Sequence, residues 1–396
     1  MELSELRIRL RALAVFRQLL SDPVLESVCA CLDCLENARS QDLISGYAEL
    51  VSRLYQTEEG DLGRHILRMT EESDNVYIRA VGRGETPPDY MARCVERELE
   101  TLQAAASLTP DRLRAGTGCA DFLPEFGHTP VDVAQAYQRR ASDVGRYGWG
   151  IYARHHMFYL DEEGGIVPVR HPDSVRLGEL VDYQREKQLI LRNTRALLEG
   201  RPAANVLLTG DAGTGKSSTI KAVVNELYPE GLRIIEVRKE QLRELPAVLD
   251  ELSENPLKFI LFIDDLSFQK GDDNYSALKA ALEGSVSARS RNVAIYATSN
   301  RRHLVKETFS DREGDDVHRS DTMQEALSLS ERFGLHITFQ KPDKAAYLNI
   351  VRHLAEERGA VCPELDMLAE RFALGRGGRS PRAARQFVDS LPAGEK

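Results

Sequence analysis

The sequence predicts an α/β protein whose three-layer core has helices on both faces of a mainly parallel sheet. Three observations support this class. Apolar runs of strand length alternate with helical patterns from about residue 180 onwards. The runs, among them FILFID and NVAIYATS, are almost continuously apolar, as in strands that are buried on both faces. Alternating strands and helices imply right-handed crossovers, and therefore parallel pairing.

Helical patterns flank this core on both sides, so we expect three domains. Residues 1–170 form a mainly helical N-terminal domain that ends in a short β unit, IYARHHMFYL and IVPVR around the turn DEEGG. Residues 171–341 form the α/β core, and residues 342–396 form a small helical lid. Asp343 and Gly359 are the expected N-cap and C-cap of the first lid helix.

Composition excludes several classes of protein. The 396 residues carry a formal net charge of -10 at pH 7, which argues against non-specific binding to nucleic acid. No segment approaches the roughly 18–20 apolar residues of a membrane span, so we expect no membrane partner. The N-terminus, MELSELRIRLRALAVFRQLL, has the pattern of an amphipathic helix and not of a signal peptide, which predicts a cytoplasmic protein.

Two groups of potential metal ligands have simpler explanations. Cys29, Cys31 and Cys34 fall on an apolar helical stripe, which favours structural thiols, although Cys94 and Cys119 could fold back to complete a metal site. The polar segment 301–325, whose potential ligands are Asp315, Asp316, His318 and Asp321, is long for a connection within a domain. It predicts a solvated acidic loop, either mobile and in contact with a partner or disordered in isolation.

GDAGTGKS, at Gly210–Ser217, matches the pattern of a phosphate-binding loop. A predicted strand precedes it and a predicted helix follows, so the helix N-terminus adds partial positive charge. We expect Lys216 to reach the β- and γ-phosphates and the Ser217 hydroxyl to ligate Mg²⁺. The nucleotide-binding residues predicted here are Asp211, Ala212, Gly213, Thr214, Gly215, Lys216, Ser217 and Ser218.

FILFIDDLSF supplies the second half of the predicted site. A buried strand that ends in acidic residues places carboxylates at its C-terminal end, where ligands bind in open α/β sheets. Asp264 is the expected holder of Mg²⁺, and Asp265 would orient or deprotonate the attacking water.

Together these motifs resemble the P-loop ATPases of the AAA+ type, and the matches cover most of residues 175–391. The resemblance implies that Asn300, at the end of VAIYATSN, contacts the attacking water. It implies that Arg332 in SLSERFG is an arginine finger, and hence a homo-oligomer with nucleotide sites at subunit interfaces. In GRSPRAARQF, Arg382 matches the lid arginine best, with Arg385 as the alternative. Asn300 could also simply end a strand, and Arg332 could be a surface ion-pair residue.

Upstream, RLGELVDYQREKQLI resembles the adenine-side segment of these ATPases, which would place Val181 and Tyr183 near the base. Two positions depart from the usual pattern. Asp265 stands where glutamate is usual, which puts the hydrolysis rate in doubt, and Asp182 stands where glycine is usual. The fuller set of motifs closely resembles a bacterial AAA+ family whose biological role is unassigned.

The expected function is therefore hydrolysis of MgATP to ADP and phosphate, driving a conformational change on an unknown protein or nucleic-acid client. Two alternatives stay open. One is a nucleotide-binding switch or scaffold with little turnover, for which Asp265 is the motive. The other is a DNA-associated loader or initiator-like ATPase, which the acidic net charge and the lack of a recognisable DNA-binding motif disfavour.

Overall fold

The computed structural model describes residues 1–36, 40–115, 117, 122–268, 273–283, 291–300, 329, 331–360 and 362–392. The chain divides into two compact units, Met1–Arg154 and His155–Lys396. The predicted acidic loop at 301–325 and Cys119 lie outside the described residues.

The first unit is helical, as predicted. A 3₁₀ turn at Arg17–Ser21 follows the first helix. The helices of this first unit are α1 (Leu3–Arg11), α2 (Pro23–Glu36), α3 (Ser40–Tyr55), α4 (Leu62–Glu71), α5 (Val76–Gly82), α6 (Asp89–Ala106), α7 (Pro110–Arg114), α8 (Val133–Ser142), α9 (Val144–Tyr147) and α10 (Ile151–Arg154).

The cysteine stripe of α2 faces the core of this unit. Cys31 is fully buried, and Cys29 and Cys34 pack against the same cluster of apolar side chains. Burial raises the pKa of the Cys31 thiol to about 12 and that of Cys29 to about 11. Thiols with raised pKa values are poor nucleophiles, and packing against the apolar core is what structural thiols show.

The second unit is built on a seven-stranded sheet with the order β2-β1-β4-β5-β6-β3-β7. Every pairing is parallel except that of β1 with β2. The strands are β1 (Met157–Leu160), β2 (Ile166–Pro168), β3 (Val206–Gly210), β4 (Leu232–Glu236), β5 (Lys258–Ile263), β6 (Val293–Ser299) and β7 (Leu335–Phe339).

The short β unit belongs to this sheet and not to the N-terminal domain, in which the sequence analysis placed it. β1 pairs in parallel with β4, with Met157 opposite Ile234. An isolated two-stranded hairpin is only marginally stable in water. Here Phe158 and Leu160 become buried because the hairpin extends a larger sheet. The division between the units accordingly falls after Arg154 and not after residue 170.

Helices cover both faces of the sheet, and three more form the lid. A side chain of Asp343 accepts a hydrogen bond from the Ala346 N–H (2.8 Å), and Gly359 has φ 66°, so the predicted caps of the first lid helix are confirmed. Among the described residues, no helix has the length and apolar character that a bilayer crossing requires. The helices are α11 (Gln184–Leu198), α12 (Lys216–Leu227), α13 (Leu245–Ser253), α14 (Asp273–Glu283), α15 (Lys344–Arg358), α16 (Leu365–Gly375) and α17 (Pro381–Ser390), with 3₁₀ turns at Leu177–Glu179, Tyr228–Glu230 and Lys239–Glu244.

Candidate nucleotide-binding site

A cleft of about 510 Å³ lies at the carboxyl ends of the central strands. The phosphate loop, the two aspartates after β5 and Asn300 after β6 line it at one end. Residues 173–183, which we call the wall segment, contribute six lining residues, and Ile350 and Leu354 of α15 also line it. The six are Asp173, Val175, Glu179, Leu180, Val181 and Tyr183. The arginines of α17 complete the lining. The cleft therefore joins the sheet, the lid and the wall segment of the second unit.

The phosphate loop runs from the end of β3 to the start of α12. Lys216 is buried, with 6% of the residue exposed, and its ammonium donates hydrogen bonds to the carbonyl oxygens of Gly210 (2.8 Å) and Asp211 (2.9 Å). At the start of α12 the N–H of Thr219 donates to the carbonyl oxygen of Gly215, the N-cap residue, at 2.9 Å. The amide groups before it are the donors that a helix leaves for other partners, and they sit at its positive end. The loop is thus suited to bind an anion.

The groups around Lys216 shift the pKa of its ammonium in opposite directions. Burial lowers the pKa of its ammonium, while the carboxylates of Asp264, Asp265 and Asp211 raise it. The neighbouring charge of Arg382 lowers it further. A polyanion in the cleft would favour the charged form of this side chain.

The carboxylate of Asp264 lies beside the phosphate-loop helix. Its Oδ1 accepts hydrogen bonds from the Ser217 hydroxyl (2.7 Å) and from the Thr298 hydroxyl. Mg²⁺ prefers oxygen ligands and is usually held by one or two protein groups together with phosphate oxygens and water. A hydroxyl and a carboxylate oxygen 2.7 Å apart fit that pattern. These two side chains could hold the ion.

Asp265 has an unusual backbone conformation, with φ 50°. Its N–H donates to the Thr298 hydroxyl oxygen at 2.9 Å. Its carboxylate accepts a hydrogen bond from Asn300 Nδ2 at 2.7 Å, and Asn300 Oδ1 in turn accepts one from Lys216 Nζ at 2.9 Å. Three predicted site residues, from the ends of β3, β5 and β6, therefore form one chain of hydrogen bonds.

Thr298 is a site residue that sequence reasoning missed. The parallel register pairs Ile263 with Ala297, which sets Thr298 beside Asp264. Its hydroxyl links the carboxylate of Asp264 to the backbone of Asp265. The signal in the sequence was a hydroxyl residue near the end of a buried strand, which also fits ordinary strand preference.

The lid approaches the phosphate loop through the first turn of α17. The Arg382 N–H donates to Gly213 O at 3.2 Å. A Cβ at Gly213 would lie 3.0 Å from the Cβ of Arg382, so a glycine is needed where the lid comes this close. Arg382 and Arg385 both line the cleft, and both alternatives for the lid arginine stay open.

Val181 and Tyr183, which the resemblance would place near the base, line the cleft. The ring of Tyr183 packs against that of Phe339, with centroids 4.9 Å apart, and its hydroxyl donates to Gln340 O at 2.6 Å. Asp182, which stands where the resemblance expected glycine, has φ 75°. The left-handed conformation explains that preference, because a side chain costs energy there.

Arg332 does not join the other predicted site residues. Its N–H donates to Leu329 O at 3.2 Å, and it precedes β7 at the amino ends of the strands. The phosphate loop follows the carboxyl end of β3, whose five residues are paired in register with β7. At about 3.3 Å per residue, the two ends of β3 are about 16 Å apart. Arg332 therefore lies at the opposite edge of the sheet from the cleft of its own chain.

Curated relatives cover part of this chain. ClpB chaperone proteins of Vibrio vulnificus and Vibrio cholerae are 26% and 28% identical to it, over 51% of this chain and 26% of theirs. The chain spans about a quarter of the length of these relatives. Among solved structures, the RuvB Holliday junction branch migration motor of Thermotoga maritima is 18% identical, covers 54% of this chain and 63% of its own, and gives a TM-score of 0.36.

The strand order of β3 to β7, the phosphate loop after β3 and the acidic pair after β5 give the core the architecture of an AAA+ P-loop protein. The sequence profile of one family, described as "Protein of unknown function (DUF815)", matches residues 153–395. That match spans the whole sheet and the lid, and more than half of the chain. The protein belongs to the DUF815 family.

Proposed function

We propose that the protein binds ATP with Mg²⁺ in this cleft, hydrolyses it to ADP and phosphate, and uses the resulting motion of the lid to act on a client. The observation that carries the proposal is the hydrogen-bond chain Lys216–Asn300–Asp265, which runs beside the Ser217–Asp264 pair. This series of hydrogen-bonded side chains places a cation, an amide and a carboxylate at the same end of the cleft. Beside it lie two oxygen atoms, of Ser217 and Asp264, that are suited to bind Mg²⁺.

Binding rests on the phosphate end of the cleft. Lys216 and the amides at the start of α12 face the position of the β- and γ-phosphates. Ser217 and Asp264 would hold a Mg²⁺ ion, which would supply positive charge to neutralise the phosphates. Arg382, whose backbone bonds to the phosphate loop, adds a further cation from the lid.

Hydrolysis requires an oriented water molecule on the far side of the γ-phosphate. Asp265 accepts a proton from this water or orients it, and the amide of Asn300 holds the Asp265 carboxylate in place. Lys216 neutralises charge that develops on the phosphoryl oxygens. Arg332 cannot reach its own cleft, so it acts in the cleft of a neighbouring subunit of a homo-oligomer.

The nature of the client follows from charge. A net charge of -10 opposes close approach to the phosphates of a nucleic acid. The matching ClpB relatives are chaperone proteins. We therefore favour a protein client over a nucleic-acid client.

A switch or scaffold with little turnover is the second candidate. It is favoured by the short side chain of Asp265, which is one methylene shorter than the usual glutamate and sits on a backbone with φ 50°. If this carboxylate lies further from the γ-phosphate, the protein would bind nucleotide normally and hydrolyse it slowly. Steady-state phosphate release by the parent protein separates the two: ATP binding without release identifies the switch.

The site itself is tested with Lys216→Ala. We expect its affinity for MgATP, measured by calorimetry, to fall more than about a hundredfold, because charge-assisted hydrogen bonds to the phosphates are removed. Lys221→Ala is the matched control, since Lys221 lies on the same helix and pairs with Glu236. Equal affinity in Lys216→Ala and the parent protein would refute the proposed site.

A further inference from the structure

The wall segment has little regular structure to support it. Within residues 173–183 the structure contains a single 3₁₀ turn at Leu177–Glu179, yet residues along its length line the cleft. The carbonyl groups of such a segment need hydrogen-bond partners from elsewhere in the chain. Two side chains from the helices beneath it provide them.

Asn225 of α12 is the first of these side chains. Its Nδ2 donates to the carbonyl oxygens of Asp173 (2.7 Å) and Val175 (2.8 Å), and both of these residues line the cleft. Since both amide hydrogens go to carbonyl groups, the orientation of the amide is determined. Asn225 Oδ1 must then be the acceptor in its 3.0 Å contact with His156 Nε2, which therefore carries the proton.

His156 holds this amide from behind. Its ring stacks on Tyr228 with centroids 4.5 Å apart. Burial lowers its pKa, which favours the neutral ring. The oxygen and both hydrogens of the Asn225 amide are therefore engaged by groups outside the phosphate loop.

Lys187 of α11 is the second anchor. Its side chain is buried, at 5% exposure for the residue, and its ammonium donates to the carbonyl oxygens of Leu180 and, at 3.5 Å, Leu177. Burial lowers the pKa of this amine, and the charge of Asp182 offsets part of that shift. Such a group is unusual at a buried position, and the two carbonyls of the wall segment are its partners.

We propose that Asn225 and Lys187 are positioning residues that set the affinity and selectivity of the cleft for the base of the nucleotide. The inference rests on the proposed binding of ATP. Fixing four carbonyl groups pre-organises the wall segment, so that its other peptide groups meet a planar, hydrogen-bonding base without an ordering cost. Val175, Leu180 and Val181, with Ile350 and Leu354 opposite, give this end of the cleft the apolar surroundings that suit a base.

Asn225 lies away from the phosphate end, whereas Lys187 itself lines the cleft. Asn225 is nine residues further along α12 than Lys216, which corresponds to about 13 Å at 1.5 Å per residue. A change at Asn225 should therefore alter the wall segment and leave the phosphate loop in place. This separation gives the experiment its logic.

The test compares ATP, GTP and inorganic tripolyphosphate, each with Mg²⁺, as calorimetric ligands of the full-length chain. Asn225→Ala and Lys187→Met should each weaken ATP binding about tenfold, since each loses two hydrogen bonds to the wall segment. They should also bring the affinities for ATP and GTP closer together. In Asn225→Ala, affinity for tripolyphosphate should stay within about twofold of the parent value; this variant gives the decisive comparison because Lys187 itself lines the cleft.

Controls guard against a general loss of structure. Glu226→Ala, at the neighbouring exposed position of α12, should change none of the three affinities. Asn225→Asp keeps the shape and the acceptor for His156 but removes both donors, so it should show the same ATP-specific loss. Thermal unfolding of every variant identifies any that fail to fold.

Three results would overturn the inference. One is an equal loss of ATP and tripolyphosphate affinity in Asn225→Ala, and another is unchanged ATP affinity and selectivity. The third is a parent protein that binds tripolyphosphate but has no affinity for ATP, which contradicts the proposed function and the inference with it. The first two leave the proposed function intact.

Discussion

At its phosphate end the cleft is formed by the ends of regular elements, namely β3, β5, β6 and α12, whereas the wall segment at its other end is irregular and held by two side chains. The phosphate end takes its geometry from parallel register, which aligns the carboxyl ends of neighbouring strands. The wall segment takes its geometry from Asn225 and Lys187. One end is therefore determined by local sequence and sheet pairing, and the other by contacts between distant residues.

Both ends store backbone strain. Across the described ranges, three non-glycine residues have φ in the left-handed region: Asp182, Tyr183 and Asp265. Tyr183 and Asp265 line the cleft, and Asp182 lies in sequence between Val181 and Tyr183, which both line it. Such conformations cost about 1–2 kcal/mol per residue, and they persist where the surrounding structure holds them. The concentration of strain here is what a functional site would show.

The largest expected effect tests whether the phosphate end is complete within one chain. Arg332→Ala should leave MgATP binding near the parent value and reduce hydrolysis by about 10³–10⁵-fold, because an arginine finger stabilises charge in the transition state. Base selectivity should not change. Phosphate-release rates and calorimetry measure the two effects.

Mixing provides the internal control. Arg332→Ala subunits retain the phosphate loop and Lys216→Ala subunits retain the finger, so their mixture should recover part of the activity that each lacks alone. Light scattering in ATP reports the size of the assembly. A monomer with full ATPase activity would rule out a finger that acts between subunits.

The next effect separates the two aspartates of the phosphate end. Asp265→Asn should keep binding and lower hydrolysis by about 10²–10⁴-fold, the usual contribution of a general base. Asp264→Asn should instead weaken the Mg²⁺-dependent part of ATP binding, because it loses a ligand charge beside Ser217. Titrations of ATP with and without Mg²⁺, combined with phosphate release, distinguish these outcomes.

Asp265→Glu sharpens the same point. If the short carboxylate limits turnover, the longer side chain should raise the hydrolysis rate without changing affinity. Hydrolysis at the parent rate in Asp265→Asn would mean that Asp265 is not the catalytic residue.

The smallest effect concerns strain at the wall segment. Asp182→Gly should raise the free energy of unfolding by up to about 1 kcal/mol, since glycine adopts φ 75° without a steric penalty. Asp182→Ala is the matched comparison and should lower it, because alanine lacks the polar side chain that eases this conformation. Urea denaturation of the two variants measures the difference, and equal stability would show that Asp182 is not strained.

Sequence patterns predicted the fold class and most of the phosphate end. The phosphate loop, Asp264, Asp265 and Asn300 all follow strand patterns directly, so their meeting at one sheet edge follows from parallel pairing. Thr298 was not predicted as a site residue because only the register of β6 against β5 sets it beside Asp264.

The wall segment shows where such prediction stops. Asn225 and Lys187 sit in helical patterns, where a polar residue ordinarily faces solvent, and nothing near them in sequence indicates the carbonyl groups that they bind. The β1–β2 hairpin was assigned to the wrong domain for a similar reason, since its partner strand β4 comes much later in the chain. Contacts of this kind depend on tertiary packing that local periodicity does not encode.

The first glycine of the phosphate loop, Gly210, is required by its close contact with a neighbouring strand and not by the nucleotide. Gly210 has φ 139°, and a Cβ there would lie 2.1 Å from the carbonyl oxygen of Phe339, at the end of β7. The residue after Phe339 accepts the Tyr183 hydroxyl and leads into the lid. Gly210→Ala would therefore displace β7, the strand that leads into the lid. A loss of nucleotide binding in this variant would reflect that displacement. Within one eight-residue pattern, the identity of Lys216 is therefore set by phosphate binding, and that of Gly210 by steric contact with the neighbouring strand.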